Sequence, residues 1–344
     1  MKEFERAESL GFRHADLFRA QLVALLTDGQ YEETLRRLLF ISDLERAPAL
    51  LEVRARAALG LGQNDVARET LEALTRSPEA SASSHLWLGR VALEQGDLDT
   101  AERQIARLRQ EGELGTDAHL LEGELAIARN DSASAEDAFR KALQRNQDHV
   151  PSKMGLARSL LLGGRPEDAL ELIDAVLRDT PDHALANFLR ANATATLGRV
   201  HEAIPSGQKV LARYPRHAPT LLLVASLHAE RGELPQAELL LRRLVSIDPT
   251  SAAGQRRLAD VEIQSGRPAA AVRRLADHED RTNVHPETAR LLASALVRTG
   301  APERAIALLT RQHRAHPNDP GILSELGFAH LSRGDVPTGS DWLN

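Results

Sequence analysis

The chain has 344 residues, 42% apolar but only 3% aromatic, and the apolar share is mostly Ala and Leu. With 43 Lys and Arg against 49 Asp and Glu the net charge is -6, which argues against a nucleic-acid partner, because that binding is driven by basic residues displacing phosphate counterions. Cysteine is absent, so disulfides, thiolate zinc sites and Cys nucleophiles are excluded, and no stretch approaches the about 18 consecutive apolar residues of a membrane span.

Of the 43 basic residues four are Lys (Lys2, Lys141, Lys153, Lys209) and the other 39 are Arg, which reads as a codon-composition bias and not as a phosphate-binding design. Residues 1–10 (MKEFERAESL) are charged and amphipathic, unlike the basic stretch and apolar core of an export signal. A Gly then recurs at Gly62, Gly96, Gly164, Gly198, Gly232, Gly266, Gly300 and Gly334, with Asn130 in the one vacant slot, at steps of 34 residues. Five residues after each slot comes Ala67, Ala101, Ala135, Ala169, Ala203, Ala237, Ala271 or Ala305, and Gly339 closes the series. Seven before each lies Ala55, Gly89, Gly123, Ala157, Ala191, Ala225, Ala259, Ala293 or Gly327.

Apolar residues at helical spacing flank the slots, as in Leu156, Leu160 and Leu161 before Gly164 and Leu170, Ile173 and Leu177 after it. Each unit is therefore predicted to be a helix, a tight turn and a second helix, with Gly or Asn where the first helix ends and φ is positive. Pro166, Pro268 and Pro302 fall in the first turn of the second helix, where the missing N–H costs nothing. The recurring small residues predict close approach of the helices, so that a bulky replacement overpacks. Pro205 and Gly207 interrupt one second helix, and a kink or irregular packing is expected there.

Nine units follow from this register, at 15–47, 48–81, 82–115, 116–149, 150–183, 184–217, 218–251, 252–285 and 286–319; the first, around Gly29 and Thr34, is one residue short. Residues 1–14 place Phe4 and Ala7 in the slots of Phe139 and Ala142, as the remnant of an earlier unit, and 320–344 read as a truncated tenth. The expectation is an all-α array of helix-turn-helix repeats, cut from a longer protein, in which Ala and Leu pack between neighbours without a thick core.

These residues resemble the tetratricopeptide repeat (TPR) family, whose units carry small residues in the first helix, a Gly turn, an Ala in the second helix and a closing Pro, here Pro181, Pro215, Pro249 and Pro317. The resemblance implies a TPR solenoid, a right-handed superhelix. This chain departs from the pattern in that the aromatic positions are largely Leu, and Trp87 sits two residues before Gly89 and not four.

No GxxxxGK[ST], GxSxG or HExxH is present. His149, His183 and His217 recur at the repeat period, but repeats stack about 8–10 Å apart whereas a shared metal needs each nitrogen within about 2.1 Å, so they read as polar residues that start the next helix. His313 and His316 have no acidic or thiol partner near in sequence and suit an adventitious ion at most. The carboxylate pairs Glu122 with Glu124 and Asp260 with Glu262 read as solvated helix faces, so no enzyme, metal or cofactor is expected.

By the TPR register the fifth position of each first helix looks onto the concave face and reads Leu86, Leu120, Met154, Phe188 and Leu222. Four residues on come Arg90, Glu124, Arg158, Asn192 and Ser226, and the preceding unit offers Glu52 and Arg56. This face is either a groove for an extended or helical peptide or the packing seam between adjacent first helices, and both readings stand. Further along it becomes polar, with Arg256, Asp260, Gln264, Arg290 and Arg298. The clamp of Lys, Asn and Arg of chaperone-binding TPR proteins and the Asn ladder of the sugar-transferase type find no match beyond Asn192.

Residues 7–12 (AESLGF), 25–35 (LLTDGQYEETL) and the run 219–249 resemble, more narrowly, the TPR lipoproteins that accompany exosortase (PEP-CTERM) protein sorting and exopolysaccharide production in Gram-negative bacteria. That resemblance implies a periplasmic or envelope-associated scaffold that binds a protein or peptide without inserting into the membrane. The alternative is a cytoplasmic regulatory array fused to a catalytic or DNA-binding domain.

Overall fold

The computed structural model describes residues 14–41, 48–77, 80–112, 114–281 and 284–343. The readings of residues 1–10, of Phe4 and Ala7 and of the string 7–12 lie outside them. Among the described residues regular structure is helical throughout, with twenty α-helices, one 3-10 turn and no strand.

Packing divides the chain into two compact units, residues 1–172 and 173–344, where the repeat pattern alone shows no break. Unit 1 holds α1 (His14–Thr27), α2 (Tyr31–Leu38), α3 (Pro48–Gly60), α4 (Asn64–Thr75), α5 (Ala82–Glu94), α6 (Leu98–Gln110), α7 (Thr116–Ala128), α8 (Ser132–Arg145) and α9 (Val150–Leu162). The division falls within α10 (Pro166–Asp179). Unit 2 continues with α11 (Ala184–Thr196), α12 (Val200–Arg213), α13 (Ala218–Glu230), α14 (Leu234–Ile247) and α15 (Ala252–Gln264). It ends with α16 (Pro268–Leu275), α17 (Pro286–Arg298), α18 (Pro302–Ala315), α19 (Pro320–Ser332) and α20 (Val336–Leu343).

The turn inside each unit is set by its Gly. At Gly62, φ is +71°, its N–H donates to the Leu59 carbonyl at 2.9 Å, and the Gln63 N–H reaches back to Ala58 at 2.9 Å, so two carbonyls left over at the end of α3 are satisfied by the αL residue. Asn130 does the same at φ +59° and is the one non-Gly residue at positive φ among the described residues. The next helix starts on a polar cap: Asp97 accepts from the Thr100 N–H, Asp131 from Ser134 and the His183 ring from Ala186. His149 and His217 bond the hydroxyls of Ser152 and Thr220 at 2.8 and 2.7 Å, which makes all three histidines helix-starting residues.

The small slots are where neighbouring helices meet. Ala55, Ala67, Ala101 and Ala135 are fully buried, and a β-carbon on Gly89 would stand 2.6 Å from Leu121 Cδ2. In unit 2 the equivalent positions Ala259, Ala271, Ala293 and Ala305 line one apolar cluster with Leu292, Leu308 and Leu326. Pro205 leaves α12 a single helix. Gly207 has its own packing reason, since a β-carbon there would meet Val224 Cγ2 at 2.4 Å.

Candidate functional site

Helices α3, α5, α7 and α9, the first helices of successive repeats in unit 1, touch one another directly and present one residue per repeat at the same height: Arg56, Arg90, Glu124 and Arg158. Trp87 lies three residues before Arg90, on the same side of α5. The guanidinium carbons of Arg56 and Arg90 each sit 5.0 Å from the Trp87 ring centroid. Flat cations over an indole face are attracted by its quadrupole, so the ring holds two long side chains from neighbouring repeats in place.

Two adjoining clefts run along this face. One, of about 390 Å³, is lined by Leu26, Tyr31, Arg56, Leu59, Gly60, Trp87, Arg90 and Glu94. The other, of about 270 Å³, is lined by Arg90, Leu93, Glu94, Glu124, Ala128 and Arg158, so Arg90 and Glu94 form the shared wall. Tyr31 packs flat on Gly60, where a β-carbon would come within 2.6 Å of the ring. One turn before Arg56 on α3, Glu52 accepts from Ser83 Oγ at 2.7 Å.

The charges on this face differ from those on the second helices. There and in the turns that lead into them, arginines are neutralised across repeats: Arg68 by Asp97, Arg129 by Glu102 and Arg165 by Glu136. Among the described residues Arg56, Arg90 and Arg158 make no ion pair within 4 Å and no side-chain hydrogen bond, leaving their N–H groups for a ligand. Burial pushes the Glu124 carboxyl above its usual value, opposed by the fields of Arg90 and Arg158 and reinforced by Glu94.

The apolar ladder expected beside these groups is mostly packing. Leu120 and Met154 are 6% and 2% exposed, and Leu86 is half-buried against the cluster of Ala92, Ile105 and Leu121. The cause is the direct contact of adjacent first helices, which closes the fifth-position seam.

In unit 2, Phe188 is half-buried with its ring edge-on to His217 at 5.3 Å. Asn192 turns its amide back to the Phe188 carbonyl at 3.0 Å, and Leu222 packs on the cluster around Leu221 and Leu258. Arg256 pairs with Glu287 at 3.3 Å, and Glu325 is shifted up by burial, opposed by Arg290 and Arg298. His313 packs edge-on to Trp342 at 5.1 Å.

Three of the carboxylates expected as solvated helix faces are not so: the Glu122 side chain is 13% exposed and is hydrogen-bonded to Arg109 at 2.6 Å and to His119 at 2.8 Å. Glu262 is 1% exposed, held by both nitrogens of the Arg274 fork, and Glu124 is half-buried in the second cleft. Sequence reasoning met Trp87 only as a departure from the repeat's aromatic pattern and gave no role to Tyr31 or Glu94. The available signal was Trp87 at i−3 from Arg90, with Arg56 one period earlier. No group of three His, Asp or Glu with metal-binding geometry occurs among the described residues, and no described helix is long and apolar enough to cross a membrane.

A helix-turn-helix repeat array is the class of protein this fold defines. Tetratricopeptide repeat models match residues 53–113, 93–151, 120–184, 154–218 and 256–337, and a second such model matches 195–256, so the chain belongs to the tetratricopeptide repeat family. No curated protein matches it by sequence.

Among solved structures it is similar to a chain of the APC/C hetero-tetramer Cut9-Hcn1, with TM-score 0.66 and 16% identity over 87% of this chain. It spans 60% of the length of that chain. It is also similar to PilW, a type IV pilus biogenesis factor, with TM-score 0.56, 18% identity, and coverage of 61% of this chain and 98% of PilW. For PilF of Pseudomonas aeruginosa the values are 0.53, 14%, 60% and 94%. At these identities the likeness is one of fold.

Proposed function

We propose that the chain is a non-catalytic scaffold that binds a segment of a partner protein along the first-helix face of unit 1. The observation that carries this reading is the set of three guanidinium groups, Arg56, Arg90 and Arg158, without an ionic partner among the described residues and gathered with Trp87 around two adjoining clefts. Rigid repeats lose little entropy when they present several weak contacts to one extended ligand. Placement in a periplasmic or envelope assembly, linked to exopolysaccharide or exosortase-type export, is part of the proposal and rests on the strings at 25–35 and 219–249 together with 7–12.

The test is site-specific photocrosslinking in the source cell. A photoreactive residue at Ala128, exposed in the second cleft, is expected to capture an envelope protein that the same residue at Arg140, exposed on the second helix α8, does not. Equal capture at both positions rejects the face. Selective capture of a cytosolic protein keeps the face and replaces the envelope placement by the cytoplasmic regulatory reading.

A further inference from the structure

We propose that Arg56 and Arg90, both lying over Trp87, form a clamp for carboxylate side chains, so that the occupant of the first cleft is an acidic stretch of polypeptide. The inference rests on the binding reading of that face and names the chemistry of what binds there.

A cation–π contact uses none of a guanidinium's N–H donors, and that planar fork matches a carboxylate with two parallel hydrogen bonds. Here two such groups, from α3 and α5, are fixed on one ring, each 5.0 Å from its centroid, so part of the ordering cost of binding is met before the ligand arrives. Neither has an acid partner among the described residues. The cleft walls include Leu26, Leu59 and the indole itself, and an apolar surround strengthens charge-assisted hydrogen bonds.

Charge points the same way. Among the described residues Glu94 is the one carboxylate lining this cleft against two arginines, a cationic patch on a chain whose net charge is -6. The adjoining cleft adds Arg158 together with Glu124, so a segment continuing past Glu94 meets a third guanidinium and a second carboxylate.

The experiment uses the full chain carrying Trp342→Phe, which leaves Trp87 as its single tryptophan. Its emission is followed on titration with an acetylated, amidated Glu-Ala repeat peptide and with the Gln-Ala counterpart. The expected result is a saturable change with the Glu peptide alone, weakened by added salt and by about tenfold in Arg56→Gln or Arg90→Gln. Arg56→Lys, which keeps the charge without the fork, is expected to restore only part of the affinity.

Glu94→Gln, at an exposed position, is expected to tighten binding, which keeps the test decisive if an arginine variant fails to fold by circular dichroism. An equal response to the Gln peptide, or unchanged affinity in the Arg56→Gln/Arg90→Gln double variant, overturns the clamp. Inorganic phosphate that competes as tightly as the peptide also overturns it, in favour of a small-anion site. A partner captured at Ala128 whose binding ignores these charges overturns the clamp and leaves the scaffold standing. Peptide binding at Trp87 with no selective capture supports the clamp and removes the scaffold reading.

Discussion

The ring of Phe139 fills the space of the β-carbon that Gly155 lacks: a carbon built there would lie 2.3 Å from the ring's Cε1. Gly123 touches the same ring from α7, with its missing β-carbon 2.5 Å away, so Phe139, 1% exposed on α8, is gripped by glycines of the helices on either side. In an array poor in aromatics this is how one large side chain fits between closely packed helices.

Gly155→Ala is therefore expected to destabilise the protein by about 1–2 kcal/mol, because overpacking costs about 1–3 kcal/mol and improved helix propensity returns at most about 1 kcal/mol. Gly163 is the control, since its φ is −79° and a β-carbon meets nothing closer than the Ser159 carbonyl at 3.4 Å. Gly163→Ala is expected to be neutral or stabilising by up to about 1 kcal/mol. Urea denaturation of both variants decides it, and equal effects refute the steric account.

Asp97 gives an acid-side pH dependence. It accepts from Arg68 Nη2 at 2.5 Å and from the Thr100 N–H and hydroxyl at 3.0 and 2.8 Å, which draws its carboxyl down from 3.8 to about 2. Between these values the folded state binds fewer protons than the unfolded chain, so this contribution is complete above the unfolded value and is lost as pH falls through about 2. Asp97→Asn retains an acceptor for the Thr100 N–H but gives up the charge. Its stability deficit is expected to be full at neutral pH and to close as pH falls from about 4 to about 2. Asp97→Ala also loses the helix cap, about 1 kcal/mol more. Denaturation at stepped pH checks both, and a deficit that does not change with pH counts against the Arg68 pair.

In unit 2, Arg274 donates to both oxygens of buried Glu262, at 2.8 and 3.1 Å, and to Gln255 at 3.0 Å. Arg274→Ala strands a carboxylate that is 1% exposed and is expected to cost about 3–5 kcal/mol. The double variant Glu262→Leu/Arg274→Leu removes both charges and is expected to be less destabilised than the single one. A double-mutant cycle in urea reads the difference, and simple additivity refutes the coupling.

The period of 34 residues was enough to place the turn within each repeat from Gly62 onward, because Gly or Asn at a slot states a backbone requirement that does not depend on neighbours. Gly62, Gly96, Asn130 and Gly164 all have positive φ. The small slots were legible for a similar reason: Ala or Gly at a fixed height in each repeat marks where two backbones meet, and Ala55, Ala101 and Ala157 are fully buried. His149, His183 and His217 were likewise readable as helix starts.

What the tertiary structure alone decided is which side chains at a shared slot are covered and which charges find partners. Leu120 and Met154 close into the seam between first helices, Glu262 is buried by an arginine twelve residues away, and Trp87 takes an arginine from each of two repeats. A repeat period fixes register along the chain, and register sets height on the stack. Burial and pairing depend instead on the distance between side chains of adjacent helices at that height, which the sequences of both helices determine together.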